Sequence, residues 1–342
     1  SVVFIPFMRA ERLSTAGFAG TARCLTGRKY LLKPDPRLSL ELAGIKMESP
    51  LMAASGCYGY GFDYADWVDP RDWGAIVLQG TTLEPRAGNP PPRLAETPSG
   101  MLNAVGLQNP GIDYFLNEIR PRLKELGCPV IVNIAGETVA HYRELAAIFD
   151  GVSEVSAVEL NISCPNVRCG GISFGRDPAV VKELVTAVRQ VYRGPLIVKL
   201  SLEAGDLKAV ARAAENAGAD ALSLINTLKG MVIDTTCRRP FLGNITGGLS
   251  GPAIRPVAVR AVWDAAEAVS VPLIGMGGIT TADDALQFIL AGAAAVAVGT
   301  ANFINPWIAR EINLGLQRYL DENGLGHYRE LIGAARSGKG RR

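Results

Sequence analysis

From about residue 50 onward, short apolar runs alternate with stretches whose apolar positions recur every three to four residues. The runs are 50–55, 75–79, 130–134, 157–161, 196–200, 221–225, 273–276 and 295–298. Each is almost continuously apolar, the pattern of a parallel strand buried on both faces. Between them, the segments 112–126, 140–149, 178–191, 207–217, 253–269 and 282–290 carry amphipathic helical spacing. Asp177 before Pro178 suits an N-cap followed by a first-turn proline, and Gly218 suits a helix stop. Eight strand–helix units predict an α/β protein, a (β/α)8 TIM barrel closed by a helix over 307–319. A doubly wound open sheet is the alternative. It would carry G-x-G-x-x-G after its first strand, and the glycines at 56, 59 and 61 lack that spacing. Three connections, 80–110, 162–176 and 226–251, are long and polar, and a barrel places all three on its catalytic face.

Composition narrows the chemistry. The chain has 342 residues, 48% hydrophobic and 20% charged, which excludes a mostly disordered polymer. Its net charge of +2 is concentrated at the ends: residues 1–36 hold six basic and two acidic side chains, and 337–342 add three basic ones. The body between is acidic, which argues against nucleic acid as a partner. We therefore expect a basic N-terminal extension over 1–36 that is poorly ordered, a barrel over 37–336 and a basic tail over 337–342. The two histidines, His141 and His327, count against a His-based metal site or a Ser-His-Asp triad, and no metal is expected. None of the six cysteines forms a C-x-x-C pair, so reduced thiols and a cytoplasmic setting are expected. No apolar run reaches 18 residues, so a membrane span is not expected.

Polar residues gather where the predicted strands end: Ser55, Gln79, Asn133, Asn161, Lys199, and Asn226 with Thr227. Converging on one barrel mouth, they suit a polar, planar ligand; taken singly, some would only tie down loops. Glycines follow the last strands in Gly247-Gly248-Leu249-Ser250-Gly251, Gly275-Met276-Gly277-Gly278 and Gly299-Thr300. Barrels commonly hold phosphate with the loops after strands seven and eight, so a phosphate-bearing cofactor is implied. Cys164, in a polar loop before Pro165, could act as nucleophile or general base, or be a small buried hydrophobe. The buried reading suits Cys24, Cys57, Cys128 and Cys237 better, and Cys169 reads either way.

The segments 102–111 (LNAVGLQNPG), 160–167 (LNISCPNV), 225–227 (INT), 244–253 (NITGGLSGPA), 275–278 (GMGG) and 298–300 (VGT) together resemble the dihydroorotate dehydrogenases. The likeness is to the catalytic subunit of the heteromeric, NAD-linked bacterial type. The resemblance implies FMN, contacted by Ser55, Gln79, Gly80, Asn133, Asn161, Lys199, Ile225, Gly251, Gly277, Gly278, Gly299 and Thr300. It implies that Gln79, Asn103, Ala104, Val105, Gly106, Leu107, Asn161, Asn166, Asn226 and Thr227 hold dihydroorotate or orotate. Cys164 would be the base, and Lys199 would stabilise the negative charge of reduced flavin. FAD and an iron–sulfur cluster would sit only on an electron-transfer partner subunit, and a homodimer is expected. An FMN-dependent enzyme acting on another pyrimidine, similar to dihydropyrimidine dehydrogenase, is the alternative. The chain departs from the family pattern at Gln79, where a lysine is usual, and this implies weakened dihydroorotate turnover or an altered flavin potential. Residues 1–36 lie outside the resemblance and look like an organelle transit peptide in composition only.

Overall fold

The computed structural model describes residues 33–162, 174–203 and 205–337. The expectations for Cys24, Cys164, Asn166 and Cys169, and for most of the N-terminal extension and the tail, fall outside the described residues. Eight strands, β1 (Leu51–Ala53), β2 (Ala75–Val77), β3 (Val130–Ile134), β4 (Ala157–Asn161), β5 (Leu196–Lys199), β6 (Ala221–Leu224), β7 (Leu273–Met276) and β8 (Ala295–Val298), form a closed barrel. Each pairs in parallel with its sequence neighbour, and β8 closes on β1 through Val296 opposite Leu51. Every residue of these strands is buried. One face fills the barrel interior and the other lies under helices, so the continuous apolar runs find their physical reason.

The helices Val139–Phe149, Pro178–Arg189, Leu207–Asn216, Arg255–Ala266, Ala282–Ala291 and Ile308–Glu322 follow the expected pattern closely. Four of them start at an extended N-cap whose side chain accepts from the first turn: Thr138, Asp177, Asp206 and Thr281. The segment expected to be one helix over 112–126 is instead broken into an α turn (Gly111–Tyr114), a π turn (Phe115–Ile119) and a 3-10 stretch (Arg120–Leu126). Pro121 supplies no N–H and its ring crowds the carbonyl four residues back, so a regular ladder cannot run through it.

Two of the three long connections are more than loops. Leu228–Gly230, Gly247–Ser250, Gly100–Asn103 and Leu94–Thr97 pair in that order as a four-stranded antiparallel sheet. It joins the excursion after β2 to the one after β6 and has its own small core of Ala95, Leu102, Ala104 and Leu242. Its strands are short and glycine-rich, so period-two alternation is too weak to reveal them. A hairpin of Leu40–Leu42 and Ile45–Met47, also unforeseen, leads into β1. It turns through Ala43 and Gly44, both at positive φ, and buries Leu40, Leu42, Ile45 and Met47 in the main core.

The loop after β7 is pinned by a buried carboxylate. Asp284 accepts from Thr280 N at 2.9 Å, Thr280 Oγ1 at 2.7 Å and Thr281 N at 3.0 Å, and pairs with Arg255. Burial pushes its pKa up, but the Thr280 and Thr281 hydrogen bonds and the Arg255 charge outweigh this and hold it below the usual carboxylate value. A carboxyl held down in the folded state stabilises above its unfolded pKa, and that stability fades as pH falls through the folded value. Asp284→Asn is expected to cost about 1–3 kcal/mol at neutral pH. Thermal melts should show the gap to the parent chain narrowing below about pH 4; a gap that persists in acid would refute this account.

Candidate active site

Carboxyl-terminal strand ends bring the polar side chains to one end of the barrel. Inside it, Asn133 on β3 stands in register with Glu159 on β4. Glu159, 1% exposed, accepts from Asn133 Nδ2 at 2.7 Å and from Ser223 Oγ on β6 at 2.7 Å. Two such bonds offset the cost of burying a carboxylate among strands of Val, Ile and Leu. Lys199 ends β5 beside Asn161 and Ser223 in register, and its Nζ donates to Ser55 Oγ at 3.4 Å. β1 and β5 are opposite strands of the eight, so this buried lysine reaches across the barrel mouth. Asn161 is buried at the end of β4, where its carbonyl oxygen accepts from Tyr142 Oη at 2.7 Å. Ile225 follows β6 through a cis peptide bond and donates from its N–H to the Met276 carbonyl at 3.0 Å.

The loop after β2 is folded against this cluster. Gln79 donates from Nε2 to the Gln108 carbonyl. Gly80 sits so close to Asn133 that a Cβ there would stand 3.0 Å from Asn133 Oδ1 and 3.3 Å from Leu107 Cδ2. Asn109 fixes the backbone that follows: its Oδ1 accepts from Thr82 N and Gly111 N, and its Nδ2 donates to the Leu107 carbonyl. Leu107 and Gly106 both adopt positive φ, which this clamp sustains in the case of leucine. The antiparallel excursion sheet then sets Asn103 opposite Gly248. A Cβ on Gly248 would lie 2.0 Å from Thr227 Oγ1, so Asn103, Gly248 and Thr227 converge only because residue 248 is glycine. Asn226 Oδ1 accepts from Thr227 N at 2.8 Å. The Ala104 side chain lies in the small core of the excursion sheet, and Val105 is placed by its carbonyl accepting from Asn89 N.

The late glycines meet on the adjoining side. Gly278 is at φ +75°, and a Cβ on it would lie 2.7 Å from the Gly251 carbonyl oxygen. Thr300 Oγ1 donates to Ser250 Oγ at 2.8 Å, tying the segment after β8 to the strand that ends just before Gly251. A Cβ on Gly299 would come within 3.3 Å of Cys57 Sγ. Gly251, Gly278 and Thr300, drawn from three separate loops, are thereby brought together, while Gly277 faces Ala258 and Ile254 and Gly299 faces Cys57 and Ala54.

Three contributors escaped the reading by sequence. Glu159 and Ser223 are polar residues inside otherwise apolar strands, and that interruption of the apolar run is the signal that marks them. Asn109 lies within the 102–111 segment, but its clamp on Leu107 depends on the turn it creates. Cys237, expected to be buried, is exposed on a turn capped by Asp234. Among the described residues, no group of three or more His, Cys, Asp or Glu side chains could hold a metal ion.

Burial pushes the Cys57 thiol up to about 11, against the opposing pull of the Lys199 charge. A thiol that high is almost wholly protonated at pH 8 and so is a poor nucleophile. Brief iodoacetamide treatment of the native protein at pH 8, followed by peptide mass mapping, should label exposed Cys237 and leave Cys57 unmodified. Equal labelling would show that Cys57 is neither shielded nor protonated.

Comparison with known proteins bears on the whole of this region. The family described as "Dihydroorotate dehydrogenase" matches residues 37–320. A protein of Geotalea uraniireducens named "Dihydroorotate dehydrogenase B (NAD(+)), catalytic subunit" is 57% identical over 302 residues, 88% of this chain and 98% of that protein. A Desulforudis audaxviator protein of the same name is 56% identical over 299 residues, 87% of this chain and 97% of its own length. One from Pelobacter propionicus, again so named, is 54% identical over 303 residues, 89% of this chain and 99% of its own.

Proposed function

The chain belongs to the dihydroorotate dehydrogenase family, and from that premise we propose that it oxidises dihydroorotate to orotate in pyrimidine biosynthesis, with FMN as cofactor. The observation that carries this is the gathering, at the carboxyl ends of the barrel strands, of the Asn133, Lys199 and Ser55 side chains and of the loops that hold Gly251, Gly278 and Thr300 close together. The fit to FMN rests on two features of that mouth. Asn133 Oδ1 is buried with no donor among the described residues, so it suits the N–H of a flat heterocycle. Gly251 and Gly278 let their loops approach each other as bare backbone, and bare backbone at the start of a helical segment offers N–H groups to a phosphate. Bound FMN supplies the hydride acceptor.

The chain's own residues do the rest. Ser55, Gln79, Gly80, Asn133, Asn161, Lys199 and Ile225 would face the ring system, and Gly251, Gly277, Gly278, Gly299 and Thr300 its phosphate end. Asn103, Asn161, Asn166, Asn226 and Thr227, with the backbone of 104–107 and Gln79, would hold the substrate. Asparagine amides offer both donor and acceptor to the alternating C=O and N–H edge of a pyrimidine. Lys199, buried and directed across the mouth, places positive charge where negative charge gathers on reduction. Cys164, which follows β4 in the chain, would take a proton from the substrate ring carbon next to its carbonyl. The name "catalytic subunit" borne by the relatives favours a partner subunit, which would carry FAD and an iron–sulfur cluster and pass electrons to NAD. A homodimer and a cytoplasmic setting complete the reading; no helix among the described residues is long and apolar enough to cross a membrane. The barrel over 37–336 would carry the activity, with 1–36 and 337–342 lying outside it. Action on another pyrimidine is not favoured, given the names of these relatives.

Anaerobic titration tests the proposal: dihydroorotate should bleach the flavin absorption of the purified protein. Failure to take up FMN, or perturbation by uracil and not by orotate, would overturn it. Gln79→Lys restores a cation between ring and carboxylate, and such a contact is often worth about 2–4 kcal/mol in a transition state. Turnover is expected to rise by about two decades, or the flavin potential to move; no change in either sinks the role given to position 79. Gly278→Ala forces a Cβ against the Gly251 carbonyl at a positive φ. Fluorimetric FMN titration should show at least about tenfold weaker binding, and unchanged affinity would remove this loop from the phosphate site.

A further inference from the structure

We propose that Glu159 is a positioning residue that fixes the polarity of the Asn133 amide, turning its oxygen toward the flavin so that the site takes the N–H of the ring. The inference rests on the flavin reading above and adds a residue that neither touches the ligand nor belongs to the family segments' obvious polar set. Glu159 is buried at the level of Asn133 and receives Asn133 Nδ2 on one oxygen and Ser223 Oγ on the other, each at 2.7 Å. A carboxylate offers lone pairs and no hydrogen. An amide facing it must therefore present its NH2 group, and the opposite end of that amide must be the carbonyl oxygen. That oxygen, Oδ1, is the buried atom left with no donor among the described residues, and it lies next to Gly80 and Leu107 at the mouth.

Without Glu159, the Asn133 amide could turn over and offer NH2 or oxygen with similar ease. With it, only a ligand edge carrying a hydrogen satisfies the site, since a lone pair opposite Oδ1 would leave two buried acceptors facing each other. Among the ring positions of a flavin, N3 is the one that bears a hydrogen between two carbonyls. Glu159 thus sets which edge of the ring enters the barrel, through Asn133 and from a position behind it. Ser223 holds the other carboxylate oxygen and does not touch this amide.

The full chain, stripped of flavin, is reloaded with FMN or with FMN methylated at N3, which lacks that hydrogen. The wild type should prefer FMN by at least about tenfold, the factor of one lost hydrogen bond. Glu159→Leu removes both acceptors, and Glu159→Asp withdraws the oxygens by one methylene while keeping the charge. Either should cut the preference at least threefold and shift the visible absorption of bound FMN; Asp serves if Leu does not fold. Ser223→Ala should keep both the preference and the spectrum. Folded Glu159 variants with wild-type preference and spectrum overturn the proposal, as does a wild type that binds both flavins equally. A wild type that takes up neither overturns the flavin reading itself, and this inference with it.

Discussion

Closure of the parallel sheet by β8 against β1 is the constraint on which the rest of the molecule depends. It removes both sheet edges and buries every strand residue on two sides, so the strands have almost no room for polar chemistry along their length. What polarity they hold must be mutually satisfied, as Glu159 is by Asn133 and Ser223, or must sit at the carboxyl ends, as Asn161 and Lys199 do. The same closure sets β1 and β5 across from each other, and Lys199 spans the gap to Ser55. Side chains from several strands thereby meet at the mouth.

The excursions after β2 and β6 extend that logic beyond the barrel. They leave opposite regions of the strand order, yet they pair as one antiparallel sheet with a core of its own. A loop stiffened by ladder hydrogen bonds holds Asn103 and Thr227 in fixed relation more firmly than a free loop could. Asn109 does comparable work for Leu107, whose positive φ would otherwise be unfavourable. Rigidity here is bought with glycine: residues 248, 251 and 278 each stand where a side chain would collide with a neighbouring segment.

Gln79 ties two parts of the mouth together. Its amide donates to the Gln108 carbonyl and so joins the end of β2 to the 102–111 segment. Lys199 is a buried lysine of the mouth held by the opposite wall through Ser55.

The amino-acid sequence by itself determined the eight strands, most of the helices and their caps, and the strand-end positions of Ser55, Asn133, Asn161 and Lys199. These follow from local periodicity and from the requirement that a doubly buried strand be apolar throughout. It also marked the glycine clusters after the last two strands, because their spacing from those strands is a local property. Only the tertiary structure decided how these parts meet. The excursion sheet, the broken helix around Pro121, the clamp of Asn109 and the convergence of Gly248 on Thr227 arise between segments far apart in the chain. The orientation of the Asn133 amide is of the same kind: asparagine can present either end, and it is the carboxylate of Glu159 on the adjacent strand, an acceptor with nothing to donate, that settles which one faces the mouth.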